Sequence, residues 1–131
     1  MKITSVQIIP LKIPSSPRKH LLHSVNPNHR FPDLRYDAPS TDRKDTFNFL
    51  LVQIDTDEGI TGFSTGGYAV QGAYPIIEQI LTPVIVGEDP LRTDWLWERM
   101  FSVCIGQAGE GVTSSAISFI DTALWDLKGK A

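Results

Sequence analysis

The sequence holds one cysteine, Cys104, in 131 residues. No internal disulfide can form, so a packed core must hold the chain. Flanked by Val103 and Ile105, the cysteine reads as a small buried residue. No apolar run is long enough to cross a bilayer. Met1-Lys2-Ile3-Thr4-Ser5 is not followed by the continuous apolar segment of a secretory signal. The expectation is therefore a reducing, cytoplasmic setting. An excess of either charge is also lacking. Twelve basic against fifteen acidic residues leave a net charge of −3 with no basic run, so nucleic acid and membrane are not expected partners. A metalloprotease helix, a dinucleotide-binding glycine fingerprint and a nucleophile–base pair are all missing, and no complete active site is visible.

What is present has the composition of one globular domain, 41% hydrophobic and 21% charged. Ile3 to Ile13 reads as a strand. Its apolar phase changes at Ile9-Pro10, which predicts a bulge and an edge position, because proline cannot donate to a ladder. Thr46 to Ile54 is the strongest strand, and its continuous apolar centre predicts burial on both faces. Asp55-Thr56-Asp57-Glu58-Gly59 reads as a turn with Gly59 at positive φ, and Ile60 to Thr65 as the returning strand. Gly66-Gly67 and Gly72 flank a short segment read as mobile, which carries Tyr68 and Gln71. Tyr74 to Ile85 has a helical stripe that Pro83 interrupts, with Thr82 as a new cap. Asp89-Pro90 reads as the cap and first position of a further helix through Trp95, Trp97, Met100 and Phe101. Gly106 to Gly111 links it to a last helix, whose stripe is Ala116, Ile117, Ile120, Ala123, Leu124 and Leu127. Thr113 or Ser114 is its expected cap, Lys128 suits its C-terminal pole, and Gly129 is its expected stop. Trp125 lies off the stripe, with Ser118 and Thr122, and predicts cover on a second side. Strands followed by helices make an α+β arrangement.

From Pro14 to about Asp45 there is no stable period. A segment of this length is a functional lid or a plain insertion, and Phe31, Leu34 and Tyr36 can anchor a lid by burial. His20, His23 and His29 read either as a metal site or as loop histidines, and nothing at ligand spacing supports the metal. Asp55, Asp57 and Glu58 fit the turn rather than a calcium loop. Gly106 to Gly111 fits a linker better than a phosphate cradle. Arg43 and Lys44 could grip a carboxylate or could be a solvated strand end. Trp95, Trp97 and Trp125 read as core or interface residues.

Three segments together carry a resemblance. They are Asp55-Thr56-Asp57-Glu58-Gly59-Ile60-Thr61-Gly62-Phe63, Gly87-Glu88-Asp89-Pro90, and Ile120-Asp121-Thr122-Ala123-Leu124-Trp125-Asp126-Leu127-Lys128-Gly129-Lys130-Ala131. In this order they resemble the N-terminal capping domain of the mandelate racemase/muconate lactonizing enzyme branch of the enolase superfamily, over essentially the whole of residues 1–131. The resemblance implies a three-stranded antiparallel meander sheet followed by a small helical bundle. It also implies a C-terminal TIM barrel as the domain's partner. That barrel is not in this sequence, since it needs about 250 further residues. The barrel would bind Mg²⁺ and carry every catalytic and metal-binding residue, so this stretch alone is expected to be inert. Trp125 would face the barrel. Two capping loops, Ser15–Asp45 and Thr65–Ala73, would close over the substrate, with His23, His29, Arg43 and Tyr68 as candidate contacts. Gly62-Phe63-Ser64-Thr65-Gly66-Gly67 departs from the more usual Gly-Trp-Gly-Glu pattern and looks closer to rhamnonate-dehydratase-like members. A small-molecule sugar acid, dehydration by proton abstraction α to its carboxylate, and a homo-oligomer at full length are the expectations. Racemisation, epimerisation or cycloisomerisation on the same scaffold, and a free-standing binding module, are the alternatives.

Overall fold

The computed structural model describes residues 1–14, 46–67, 70–106 and 111–131. The chain falls into two units, Met1–Leu11 with Asn48–Ala131, and Lys12–Phe47. In the second unit only the strand ends at 12–14 and 46–47 are described; the expected long loop, 15–45, lies outside the described residues.

Three strands, β1 (Ile3–Pro14), β2 (Thr46–Thr56) and β3 (Thr61–Gly66), form an antiparallel sheet in the order β1-β2-β3. β1 is thus an edge strand, as Pro10 requires. Leu50, Val52 and Ile54 are fully buried and alternate with half-buried Leu51 and Gln53. β2 therefore buries one face here, not two as its apolar run predicts: a run without a polar break hides the alternation that the pleat imposes. The β2–β3 turn is closed by Thr56, whose hydroxyl donates to the Ile60 carbonyl at 2.8 Å and accepts the Ile60 N–H at 3.1 Å. Gly59 has φ 79°, the left-handed conformation that favours glycine.

The β2–β3 register pairs Ile54 with Gly62, Val52 with Ser64 and Leu50 with Gly66. A bulky residue on β2 thus faces a small one on β3 each time, and the missing volume is filled by the last helix, α4 (Val112–Lys130). A Cβ on Gly66 would stand 2.9 Å from the Phe119 ring, so the helix lies directly on the strand. Ser64 Oγ donates to the Phe119 carbonyl at 2.6 Å. Ala116, Ile117, Ile120, Ala123, Leu124 and Leu127 are all buried, the stripe the sequence predicts. Full burial stabilises by about 1.5–3 kcal/mol for each Leu or Ile.

Between sheet and last helix the chain is helical from Val70, earlier than the stripe from Tyr74 suggests; Gln71 thus lies in α1 (Val70–Ile76) and not in a mobile link. A π-helical segment, Ile77–Leu81, joins α1 to α2 (Thr82–Ile85). There the Thr82 N–H reaches back five residues to the Ile77 carbonyl. The wider turn passes Pro83, which has no N–H and whose ring would crowd the carbonyl four residues before it. Thr82 is not the expected cap: it sits inside the helical run, and its buried hydroxyl has no partner among the described residues. Asp89-Pro90 opens a turn, not a helix. Asp89 Oδ1 accepts the Leu91 N–H at 3.0 Å and its carbonyl the Arg92 N–H at 3.2 Å, and α3 (Thr93–Cys104) starts only at Thr93. On α3 the buried positions are Thr93, Leu96, Met100 and Cys104, while Trp95 and Trp97 are 37% and 39% exposed. The two tryptophans are therefore not core residues; Trp95 lies under the guanidiniums of Arg92 and Arg99 and Trp97 stacks on Phe101. α4 has Gly111 as its N-cap, with φ 82° and no side-chain cap bond, so Thr113 and Ser114 sit inside the helix. Gly129 is likewise within α4 and does not stop it.

Candidate functional site

The C-terminal end of β3 runs beside the N-terminal half of α4, and between them lies an open groove of about 320 Å³. Ser64, Thr65, Gly66 and Gly67 line it from the strand, and Ser114, Ser115, Ser118, Phe119 and Thr122 from the helix. Positions 114, 118 and 122 recur at one-turn spacing, so their short polar side chains form a row along one face. Three of the hydroxyl protons already point at carbonyls. Ser64 donates to Phe119 at 2.6 Å, Ser115 to Gly111 at 3.1 Å and Ser118 to Ser114 at 2.8 Å. Their lone pairs remain to accept from whatever occupies the groove. No lining residue titrates near neutral pH, so the groove can bind and orient but cannot itself move a proton. It opens at the start of the 65–73 segment expected to cap a substrate.

Several carboxylates elsewhere are engaged in the fold. Asp55 accepts from Ser5 Oγ at 2.8 Å, Gln7 Nε2 at 2.9 Å, Gln53 Nε2 at 2.8 Å and Thr61 Oγ1 at 3.0 Å, which ties all three strands together. Burial works against its charge, but these four donors win and hold its pKa below the usual carboxylate range. Asp57 accepts the Lys2 N–H at 2.7 Å, and Glu58 pairs with the Met1 ammonium at 2.9 Å. Asp57 and Glu58 stand in the turn as read, whereas Asp55 lies in β2, opposite Thr61, and the turn begins only after Thr56. On α4, burial and then the charge of Asp94 raise the pKa of half-buried Asp121. Trp125 is 51% exposed, with Lys128 Nζ 4.7 Å from its ring centre, which agrees with its off-stripe position.

Of the residues singled out from the sequence, His23, His29 and Arg43 fall in 15–45 and Tyr68 in 68–69, all outside the described residues. His20 and Lys44 lie there as well. Among the described residues no group of three or more His, Cys, Asp or Glu could hold a metal ion, and no helix is long and apolar enough to cross a membrane. The hydroxyl row is what sequence reasoning missed. Its signal was the helical spacing of Ser114, Ser118 and Thr122, which marks a polar face but not what that face lies against.

Residues 34–131 match the N-terminal domain of the mandelate racemase / muconate lactonizing enzyme family. D-galactonate dehydratase of Xanthomonas campestris pv. campestris is 40% identical over 86 residues, which cover 63% of this chain and 22% of that protein. The chain thus spans about a fifth of the length of the curated relatives it matches. The solved 3,6-anhydro-D-galactonate cycloisomerase of Zobellia galactanivorans superposes with a TM-score of 0.73 at 25% identity, over 99% of this chain and 29% of that one. Rhamnonate dehydratase of Gibberella zeae, solved with Mg, gives a TM-score of 0.57 at 36% identity over 63% of this chain and 20% of that one.

Proposed function

The chain belongs to the mandelate racemase / muconate lactonizing enzyme family of the enolase superfamily, as its N-terminal domain, and on that premise we propose that it caps the catalytic domain of a Mg²⁺-dependent acid-sugar dehydratase. In the proposed reaction the proton α to the substrate carboxylate is removed and water is lost from the neighbouring carbon, by way of an enediolate. The acid, the base and the Mg²⁺ ligands are assigned to a C-terminal TIM barrel in the longer protein. The described residues do not form a Mg²⁺ site, and no chemical step is assigned to them.

This chain's part is to select and enclose. Ser15–Asp45 and Thr65–Ala73 are the proposed capping segments, the second running from the end of β3 into α1, and covering the barrel mouth with them would exclude water from a charged intermediate. Arg43 is assigned to the substrate carboxylate, because a guanidinium offers two parallel donors to its two oxygens. His23, His29 and Tyr68 are assigned to the hydroxyls of the sugar acid. The hydroxyl-lined groove supports this division of labour, since it lies at the root of the second segment and holds no proton-transferring group.

The observation that carries the reading is the 40% identity to a D-galactonate dehydratase. A cycloisomerase or a racemase is the second reading, favoured by the fold likeness to the cycloisomerase over 99% of this chain. Incubating the full-length protein with Mg²⁺ and a panel of aldonic and deoxyaldonic acids in D₂O separates them. A 2-keto-3-deoxy acid is the expected product. An epimerised or cyclised product without loss of water overturns the dehydratase in favour of the second reading, and the absence of any 2-keto-3-deoxy acid deuterated at C3, of any epimer and of any cyclised product across the panel overturns both.

A further inference from the structure

β3 is the far edge of the sheet, and an edge strand carries unpaired N–H and C=O groups that a foreign strand can take up. In an antiparallel ladder alternate residues turn both groups to the same side. The Phe63 N–H and the Thr61 carbonyl both meet α4 side chains, not β2. Phe63 N donates to Asp126 Oδ2 at 2.8 Å, and Lys130 Nζ donates to the Thr61 carbonyl at 3.0 Å. Asp126 and Lys130 are themselves ion-paired, and Lys130 Nζ stands 4.8 Å from the Phe63 ring centre. The spacings match. Four residues of helix rise about 6 Å and two residues of strand about 6.7 Å, so an i, i+4 pair spans an i, i+2 pair.

The opposite edge is met by main chain at its first residue. Ile3 N donates to the Glu88 carbonyl at 2.9 Å and Gly87 N donates to the Ile3 carbonyl at 2.8 Å, and Pro10 has no N–H to offer. β3 has neither device. Its six residues, Thr61-Gly62-Phe63-Ser64-Thr65-Gly66, contain no proline and no charge, the residues that ordinarily blunt an edge.

We propose that the Asp126–Lys130 pair guards the β3 edge against strand addition, and that the strand it excludes is β3 of a second copy of this chain. Self-pairing is the favoured mispairing because an antiparallel contact between two identical strands closes on a two-fold axis and satisfies both edges at once. Phe63, 42% exposed, would meet its own copy across that axis. Hydrogen bonds from Lys130 and from the Phe63 N–H hold the Asp126 pKa below the usual carboxylate range, which keeps the guard charged at neutral pH.

The test is sedimentation of the full-length protein carrying Asp126→Ala with Lys130→Ala. The expected result is association beyond the parent's own state, with at least a tenfold rise in the association constant. Adding Phe63→Lys, which places a charge at the middle of the edge, is expected to return it to the parent's state. Asp126→Ala alone uncovers the Phe63 N–H and is read in the same way should the double variant not fold. Sedimentation identical to the parent overturns the proposal, as does association that persists with Phe63→Lys, because the contact then lies elsewhere.

Discussion

A Cβ on Gly62 would stand 2.2 Å from the Ala123 carbonyl oxygen and 2.7 Å from the Leu127 Cβ. That distance sets how closely α4 lies on β3. Gly62→Ala is therefore expected to destabilise the domain by about 3 kcal/mol, the upper end of overpacking costs, since the obstacle is backbone that cannot rotate away. Gly66→Ala meets only the edge of the Phe119 ring and should cost less. Urea unfolding of the two variants beside the parent checks the order; equal losses would mean that α4 is free to shift.

Asp55 yields a prediction in pH. Its folded pKa lies below the ordinary 3.8 because its four hydrogen-bond donors outweigh burial. Folding therefore favours the ionised form, so this stability is present above the unfolded pKa and is lost as pH falls through the folded one. Asp55→Asn should cost about 1 kcal/mol at pH 7, after allowance for solvent screening. The gap to the parent should close as the pH drops below the carboxylate range. Thermal unfolding from pH 7 down to pH 2 reads both limbs, and a gap that persists in acid would mean that shape, not charge, ties the three strands.

The elements whose signal is local were legible in the sequence. The α4 stripe, the turn at Gly59 and the edge position of β1 at Pro10 each follow from residues within a turn or two. Helix starts were not legible at Asp89, Thr82 or Thr113, since each side chain can cap locally while its place is decided by distant packing. Asp89 closes a turn instead of capping the helix that the sequence predicts, and α3 waits for Thr93, which is buried. The Asp126–Phe63 contact joins residues 63 apart, and no periodicity reports on such a pair. The groove was out of reach for the same reason: its two walls come from β3 and α4, and only the Gly62, Ser64 and Gly66 spacing opposite Ile54, Val52 and Leu50 brings them together.

Asp121 should behave in the opposite sense to Asp55. Burial first, and the charge of Asp94 second, raise its folded pKa above 3.8. Its folded state holds the proton more tightly than the unfolded chain, so the associated stability is full at acid pH and is lost as pH rises through the raised value. Asp121→Asn is therefore expected to match the parent in acid and to exceed it at pH 7. Asp94→Asn should recover only part of that gain, because burial is the larger cause. Melting temperatures between pH 3 and pH 7 decide it, and full recovery by Asp94→Asn would make the like charge the dominant cause.

Arg43 connects the capping proposal to kinetics. A guanidinium that grips the substrate carboxylate is worth about 1.5–3 kcal/mol as a hydrogen bond to a charged group. Arg43→Ala in the full-length enzyme should then lower kcat/KM by about ten- to a hundredfold on the true sugar acid. Arg43→Lys keeps the charge but loses the two-pronged geometry, so it should recover only part of the loss. If the grip is made equally in ground and transition states the loss falls on KM; if it tightens as the enediolate charge develops, kcat falls too. Steady-state kinetics of the two variants distinguish these cases, and unchanged kcat/KM in Arg43→Ala removes Arg43 from the site and leaves His23, His29 and Tyr68 as the capping contacts to test.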